Sequence, residues 1–193
     1  MIMDEPGDES ALIDFLLLAN RLKIMPRTGW VVRGLVNVES VAAHSYATAL
    51  IALILAGRID QPVDRQKLLA MALVHDLPEA LTTDIPGPAQ RFLPAGARAS
   101  AEWSALVQLL DGLDFAESVK SLWQELKDRQ SVEAKLVRDA DRLDMLLQAY
   151  FYQQTTGNQY LEEFWTNQDN TSFAFAASQR LYQSLCERRQ ARS

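Results

Sequence analysis

The sequence contains few of the residues that mark secreted, fibrous or disordered proteins. A single cysteine, Cys186, stands among 193 residues, so the chain forms no disulfide or thiolate zinc cluster of its own. Glycine and proline number only eight and seven, which argues against a fibrous or disordered chain. Hydrophobic residues make up 48% of the sequence, enough for a sizeable core. One globular domain is therefore predicted.

Basic residues and long apolar runs are also scarce. The 19 lysines and arginines are outnumbered by 25 acidic residues, and the net charge is -6. This charge excludes the basic surface of a protein that binds a nucleic-acid polymer or an anionic membrane. No apolar run reaches the roughly 18 residues that span a bilayer, and the first residues are acidic where a signal peptide is basic. We therefore expect no membrane partner and a cytoplasmic location.

The polar and apolar residues follow a helical period throughout, and no segment alternates with period two. The sequence predicts an all-α protein, with a flexible acidic tail over residues 1–9 and one domain over residues 10–193. Predicted N-caps are Ser10, Ser40, Asp64, Asp114 and Ser131. Glycines 57 and 157 are predicted left-handed stops. The predicted helices cover residues 11–23, 41–56, 65–75, 96–110, 115–128, 132–156, 159–165 and 172–189, with loops over residues 26–38 and 81–94.

The chain has only two histidines, His44 and His75, and both fall at core-facing positions of predicted helices. Asp76 follows His75 directly and also projects among apolar residues. Charged groups in such surroundings are costly to desolvate unless they are paired or bound to a cation. Because borderline divalent metals favour imidazole nitrogen together with carboxylate oxygen, these three residues form an incomplete ligand set.

A fourth ligand is expected from the acidic residues of the long helix near its middle. Asp139 has a lysine and an arginine at helical spacing, the pattern of a solvated ion-pair face. Asp141 has apolar neighbours four residues away on both sides, which points it inward. Asp144 also has apolar neighbours, so periodicity leaves both Asp141 and Asp144 open as ligands.

In order and spacing, these residues resemble the HD-domain metal-dependent phosphohydrolases, and most closely their 5'-deoxynucleotidase branch. The resemblance runs from about Leu17 to Tyr152. A His-Asp pair alone has little specificity, whereas the full series of blocks in order is specific. The blocks are Leu22-Lys23 with Pro26-Arg27-Thr28-Gly29-Trp30, Glu39-Ser40-Val41 with His44, Ala72-Leu73-Val74-His75-Asp76, Glu79 with Asp84-Ile85, and Glu133-Ala134-Lys135 leading to Asp141.

The resemblance implies a single-domain HD-type helical bundle with a metal site between helices. The residues that match the family's ligands are His44, His75, Asp76 and Asp141, which favours Asp141 over Asp144. They would hold one divalent cation, manganese or cobalt or another transition metal such as iron, nickel or zinc, with magnesium possible. Such a set leaves positions open for a phosphate oxygen and water.

The same resemblance assigns catalytic roles to two further acids. Glu79 matches the acid/base that orients or deprotonates the attacking water, and the alternative is a surface glutamate at a helix end. Asp84 matches an acid at the substrate pocket, where it would accept from a sugar hydroxyl or hold a water molecule at the metal. The alternative for Asp84 is a cap for the turn at Pro86.

Substrate contacts are expected from the loop that precedes the first ligand. Arg27 offers a planar fork of donors suited to phosphate, and Arg33 is an alternative. Trp30 could pack against a sugar or base and disfavour a 2'-hydroxyl. Some family members have this arginine and tryptophan adjacent, whereas Thr28 and Gly29 separate them here.

The predicted activity is hydrolysis of deoxynucleoside 5'-monophosphates to deoxynucleoside and phosphate. Alternatives are an HD phosphohydrolase for another nucleotide or small phosphoester, a non-catalytic nucleotide-binding module that keeps the metal, and a purely structural helical protein. The resemblance also implies a homodimer. Five aromatic residues could line its interface, although core packing is favoured for most of them: Phe151, Tyr152, Tyr160, Phe164 and Trp165.

Overall fold

The computed structural model describes residues 8–191, and the regular secondary structure of these residues is helical apart from one isolated bridge between Pro26 and Ser40. The predicted all-α class is confirmed for these residues. Two short 3-10 segments cover Asn20–Lys23 and Gln159–Glu162. The α-helices are α1 (Asp8–Ala19), α2 (Thr28–Val31), α3 (Val41–Ala56), α4 (Arg65–Val74), α5 (Glu79–Thr82), α6 (Gly87–Gln90), α7 (Ala97–Leu109), α8 (Ala116–Asp128), α9 (Val132–Thr156), α10 (Glu163–Thr166), α11 (Gln168–Thr171) and α12 (Ala176–Gln190).

Local caps determine where several of these helices begin and end. The side chains of Ser40, Asp64 and Ser131 each accept a hydrogen bond from the backbone N–H three residues later, at 3.2, 3.0 and 3.2 Å. These bonds satisfy donors that the first turn of a helix leaves without partners. Gly157 follows α9 with a φ of 66°, the left-handed conformation that glycine adopts at low cost. These four of the seven predicted caps and stops are confirmed, whereas α8 begins at Ala116 and not directly after Asp114.

The N-terminal boundary differs from the prediction. Residues 1–7 of the predicted tail lie outside the described residues, and α1 already begins at Asp8. Ser10 is therefore inside the helix and does not cap it. The sequence of this first turn is acidic, and negative charge near a helix N-terminus is stabilised by the helix dipole. The helix therefore begins before the predicted cap.

The predicted left-handed stop at Gly57 is wrong. Within the described chain, Gly34, Gly96, Gly112 and Gly157 are the glycines with positive φ. Helix α3 instead ends in a tight turn, in which the N–H of Gly57 donates to the Ile54 carbonyl at 3.2 Å. Such i to i+3 bonds close many helix ends without a left-handed residue.

Two predicted loops also contain short helices, and the last predicted helix is shifted. Helix α2 interrupts the loop over residues 26–38, and α6 interrupts the loop over residues 81–94. The helix predicted from Ser172 begins at Ala176. These one-turn helices are too short to show the apolar periodicity on which a prediction depends.

The chain forms two compact units. The first contains residues 8–43 and 74–124, and the second contains residues 44–73 and 125–191. The core of the first unit is built from Leu22, Val41, Leu77, Ala80, Leu106, Leu109, Leu110, Leu113, Ala116 and Trp123. Large side chains that are fully buried in the second unit include Leu55, Leu68, Met71, Leu136, Leu146 and Leu161.

The five aromatic residues considered for an interface divide into two groups. Tyr152, Phe164 and Trp165 are buried, as the prediction of core packing requires. Phe151 and Tyr160 are 56% and 76% exposed. Within residues 8–191, no helix combines the length and hydropathy that crossing a bilayer demands.

Candidate active site

The second unit places two aspartates on opposite nitrogens of one buried imidazole. His44, in the first turn of α3, is fully buried. Its Nε2 atom lies 3.1 Å from Oδ1 of Asp141, and its Nδ1 atom lies 2.7 Å from Oδ2 of Asp144. Both aspartates come from α9, where residues three apart share a face. The two candidates that periodicity left open therefore both contact His44.

The chemistry of these contacts suits a cation. A neutral imidazole can donate from only one nitrogen, and an ionised carboxylate can only accept. If Nδ1 of His44 donates to Asp144, the Nε2 lone pair faces a carboxylate oxygen of Asp141. Two acceptors at 3.1 Å repel each other unless a proton or a cation lies between them. His44 and Asp141 thus fit the donor set of a divalent metal.

The first unit holds the predicted His-Asp pair in the turn between α4 and α5. His75 is buried, and its Nε2 atom lies 3.1 Å from Oδ2 of Asp76. The same oxygen accepts a hydrogen bond from Nη1 of Arg27 at 3.1 Å. Asp76 is therefore oriented by an imidazole on one side and a guanidinium on the other. An imidazole nitrogen beside a largely buried carboxylate is again a donor pair suited to a transition metal.

Glu79 lies at the start of α5 and is 3% exposed, so it is not the surface glutamate considered as an alternative. Within residues 8–191, its Oε2 atom has no hydrogen-bond partner. Burial raises the pKa of Glu79 to about 9, with further raising contributions from the negative charges of Asp76 and Asp84. The positive charges of Arg27 and Arg98 act in the opposite direction. A buried carboxyl with a strongly raised pKa is typical of an acid/base group.

Arg98 and Glu102 are site residues that the sequence analysis missed. The Nε atom of Arg98 donates to Oε1 of Glu102 at 2.6 Å, and its Nη2 atom lies 3.9 Å from Oε1 of Glu79. Glu102 is buried, so this pair is more than a solvated surface contact. The spacing of four residues on α7 was the available signal, but spacing alone does not distinguish a buried pair from an exposed one.

Asp84 anchors the loop that carries the predicted substrate residues. Its Oδ2 atom accepts from the backbone N–H of Thr28 at 2.7 Å and lies 3.1 Å from the Thr28 hydroxyl. That hydroxyl also donates to the Asp84 carbonyl at 2.7 Å. Thr28 is the first residue of α2, so Asp84 supports α2 and not the turn at Pro86, which was the alternative. The positions of Arg27 and Trp30 thus depend on Asp84.

The two predicted substrate residues of this loop differ in accessibility. Trp30 is only 2% exposed, and its Nε1 atom donates to Oε1 of Glu39 at 2.9 Å. An indole ring that is buried to this degree offers no surface on which a sugar or base could stack. The expected packing of substrate against Trp30 is therefore not supported. Arg27 reaches Asp76, whereas Nη1 of Arg33 donates to the Gly29 carbonyl at 2.5 Å.

The prediction that Asp139 lies on a solvated face is wrong. Asp139 is 1% exposed, and its carboxylate accepts from the backbone N–H groups of Ala174 and Phe175 at 2.9 and 3.1 Å. Burial raises the pKa of Asp139, and these hydrogen bonds act in the opposite direction. Asp139 therefore supports the chain just before α12.

Comparison with known proteins agrees with the resemblance inferred from the sequence. The family model described as "HD domain" matches residues 19–180, a range that includes parts of both units. A zebrafish (Danio rerio) protein named 5'-deoxynucleotidase HDDC2 is 35% identical over 81% of this chain and 77% of its own length. The human (Homo sapiens) protein of the same name is also 35% identical, over 74% and 69%.

A solved structure is also similar. The structure of a conserved hypothetical protein from Pyrococcus furiosus has a TM-score of 0.76 and 36% identity, and the match covers 93% of this chain and 99% of that one. Sequence and structure therefore agree over most of the chain, and this protein belongs to the HD domain family.

Proposed function

We propose that this protein is a metal-dependent phosphohydrolase acting on deoxynucleoside 5'-monophosphates. Water attacks phosphorus, the bond between phosphorus and the 5'-oxygen breaks, and the products are a deoxynucleoside and inorganic phosphate. The observation that carries the proposal is that relatives named 5'-deoxynucleotidase are 35% identical over 81% and 74% of the chain. The described residues supply the groups that this reaction needs.

We assign the cation to His44, His75, Asp76 and Asp141. The contact between His44 and Asp141 in one unit and the pairing of His75 with Asp76 in the other support this assignment. When bound, the cation supplies Lewis-acid polarisation of the phosphoryl group. Manganese or cobalt is proposed first, then iron, nickel or zinc, with magnesium the hard-ligand alternative.

Glu79 is assigned the proton transfer. Its raised pKa, about 9, reflects burial first and then the negative charges of Asp76 and Asp84. Neutralisation of the Asp76 charge by a cation would lower the pKa of Glu79 toward the working pH. Glu79 then accepts a proton from the attacking water and returns it to the departing 5'-oxygen, so no proton is gained or lost overall.

The substrate residues follow from the loop around α2. Arg27 lies beside Asp76, where its guanidinium can meet the charge of a phosphate dianion. Asp84 holds this loop through Thr28 and is assigned a positioning role in addition to a polar contact with substrate. The buried Trp30 would act as a wall that limits space at the sugar, and not as a stacking surface.

A homodimer and a cytoplasmic location belong to the same proposal. Phe151 and Tyr160, both exposed aromatics, are available for a subunit interface. The only cysteine, Cys186, is free, which suits a reducing compartment. Light scattering coupled to size-exclusion chromatography would measure the mass; a monomer at micromolar concentration would contradict the dimer.

The central experiment is a panel of deoxyribonucleotides and ribonucleotides tested with a series of divalent metals. We expect phosphate and deoxynucleoside in equal amounts from deoxynucleoside monophosphates, and less product from ribonucleotides. His75→Ala and Glu79→Gln should each lose about 10²-fold or more in turnover, whereas Asp111→Ala, at an exposed carboxylate, should not.

Other outcomes would overturn the proposal. Release of pyrophosphate, or activity on other phosphoesters only, would point to another HD phosphohydrolase. A stoichiometric nucleotide complex without product would indicate a binding module. Failure to bind any of the metals would leave a structural helical protein.

A further inference from the structure

We propose that Asp144 is a positioning residue that keeps the Nε2 atom of His44 available to the cation. This inference rests on the metal site of the proposed function. Family resemblance favours Asp141 as the ligand and leaves Asp144 without a role. In the structure, Asp141 lies at Nε2 of His44 and Asp144 lies at Nδ1. The two aspartates can therefore have different roles.

The two aspartates differ in how much of each side chain is buried. The side chains of His44 and Asp144 are 0% and 8% exposed, and their contact of 2.7 Å is short. The side chain of Asp141 is 40% exposed, and its contact with His44 is longer, at 3.1 Å. A cation arriving from solvent can therefore reach Asp141, whereas the buried Asp144 carboxylate is already bound to the ring.

The hydrogen bond to Asp144 determines which ring nitrogen carries the proton. An ionised carboxylate accepts only, so Nδ1 of His44 must donate to it. The lone pair then remains on Nε2, the atom that faces Asp141. A carboxylate behind a ligating histidine fixes the ring orientation and raises its basicity. Without Asp144, the favoured arrangement is an Nε2–H that donates to Asp141, and this proton would block the ligand position.

Two variants and one matched control test this role. Asp144→Ala removes the acceptor, whereas Asp144→Asn keeps an acceptor oxygen without the charge. In calorimetric titrations with manganese, we expect Asp144→Ala to lower affinity about 10- to 100-fold, and Asp144→Asn to lower it less. The control is Asp139→Asn, which neutralises a buried carboxylate on the same helix that contacts the chain before α12. Its affinity for manganese should stay within about twofold of wild type.

Nitrogen-15 NMR of the metal-free protein adds a direct view of the ring. With two histidines in the chain, four ring nitrogens give signals, and His75→Gln assigns those of His44. We expect Nδ1 of His44 to carry a proton in the wild type and in Asp144→Asn, and the proton to move to Nε2 in Asp144→Ala. A role in folding alone would lower stability without moving this proton.

The outcomes are distinguishable. If wild type binds manganese, but Nδ1 carries no proton or Asp144→Ala binds as tightly as wild type, the inference fails and the metal site stands. If wild type binds no metal, the proposed function fails and this inference fails with it.

Discussion

Glu79 is the residue whose environment departs most clearly from that of an ordinary carboxyl. Its pKa of about 9 in the folded protein lies above 4.5, the ordinary value for a glutamate side chain. The native state therefore binds more protons than the unfolded state between these two values. Any stability due to the neutral carboxyl is complete below about pH 4.5 and is lost as pH rises toward 9.

This loss of stability with rising pH should be absent in Glu79→Gln, whose side chain is neutral at every pH. In the presence of a chelator, the variant should be more stable than wild type at pH 8 by about 1–3 kcal/mol, because only the wild type must take up a proton at this side chain in order to fold. The difference should shrink toward pH 5. Urea denaturation at several pH values measures it, with the exposed Glu117→Gln as a control. A difference that does not vary with pH would contradict the prediction.

Arg27 and Arg33 donate to different acceptors, and this difference favours Arg27 as the phosphate ligand. Because Arg27 contacts Asp76, we expect Arg27→Met to lower kcat/KM about 10- to 100-fold, the value of one or two charged hydrogen bonds. Arg27→Lys should recover part of the loss, since it keeps the charge without the planar fork. Inhibition by inorganic phosphate would report binding directly. Arg33→Met is the matched control, and a larger effect there would reverse the assignment.

Sequence reasoning proposed acids of α9 as candidate ligands but did not predict which residues they contact. Asp139, Asp141 and Asp144 were judged by neighbours on their own helix. The true partners of Asp139 lie 35 and 36 residues later in the chain, and Asp144 meets a histidine 100 residues earlier. Such partners arise only from tertiary packing, which helical spacing does not report.

At the scale of the helix, local signals were sufficient wherever the end of the helix is set by a neighbouring side chain. Ser40, Asp64 and Ser131 cap as predicted because each bond spans three residues. The prediction of a left-handed Gly57 was wrong because a helix can also end in a tight last turn. Composition does not distinguish these two kinds of helix end.

Two glycines allow the left-handed ending of α9 to be tested. A Cβ atom on either Gly87 or Gly157 would meet nothing within 4 Å, but only Gly157 has a positive φ, 66°. Gly157→Ala should therefore lower the free energy of unfolding by about 1–2 kcal/mol through backbone strain alone. Gly87→Ala should be neutral or slightly stabilising. Urea denaturation of both variants decides this, and equal losses would show that φ is not the cause.

At the scale of the whole molecule, the proposed ligands are spread over residues 44–141 of the sequence. A cation that binds only the folded chain stabilises it by mass action. Manganese at a hundredfold excess over its Kd should add about 2.7 kcal/mol, or roughly 5–10 °C in Tm. The shift should disappear in Asp141→Ala and on addition of chelator, as measured by calorimetry. A shift that survives in that variant would mean that the ion binds elsewhere.

Periodicity predicted the helical class, and the resemblance carried by the ordered motifs predicted the family, since both depend on patterns within the chain. They did not predict the two compact units, because the division depends on which helices pack together. The first unit, for example, joins Val41 with Leu106 and Trp123, residues far apart in sequence.

The link between Asp84 and Thr28 has a consequence for the binding of phosphate and metal. Thr28, the residue after the arginine proposed to bind phosphate, is held by the carboxylate of Asp84, 56 residues further along the chain. Replacements between Arg27 and Trp30 would therefore change the position of the guanidinium and its contact with Asp76, a proposed metal ligand. We therefore expect phosphate binding and metal affinity to change together when this loop is altered.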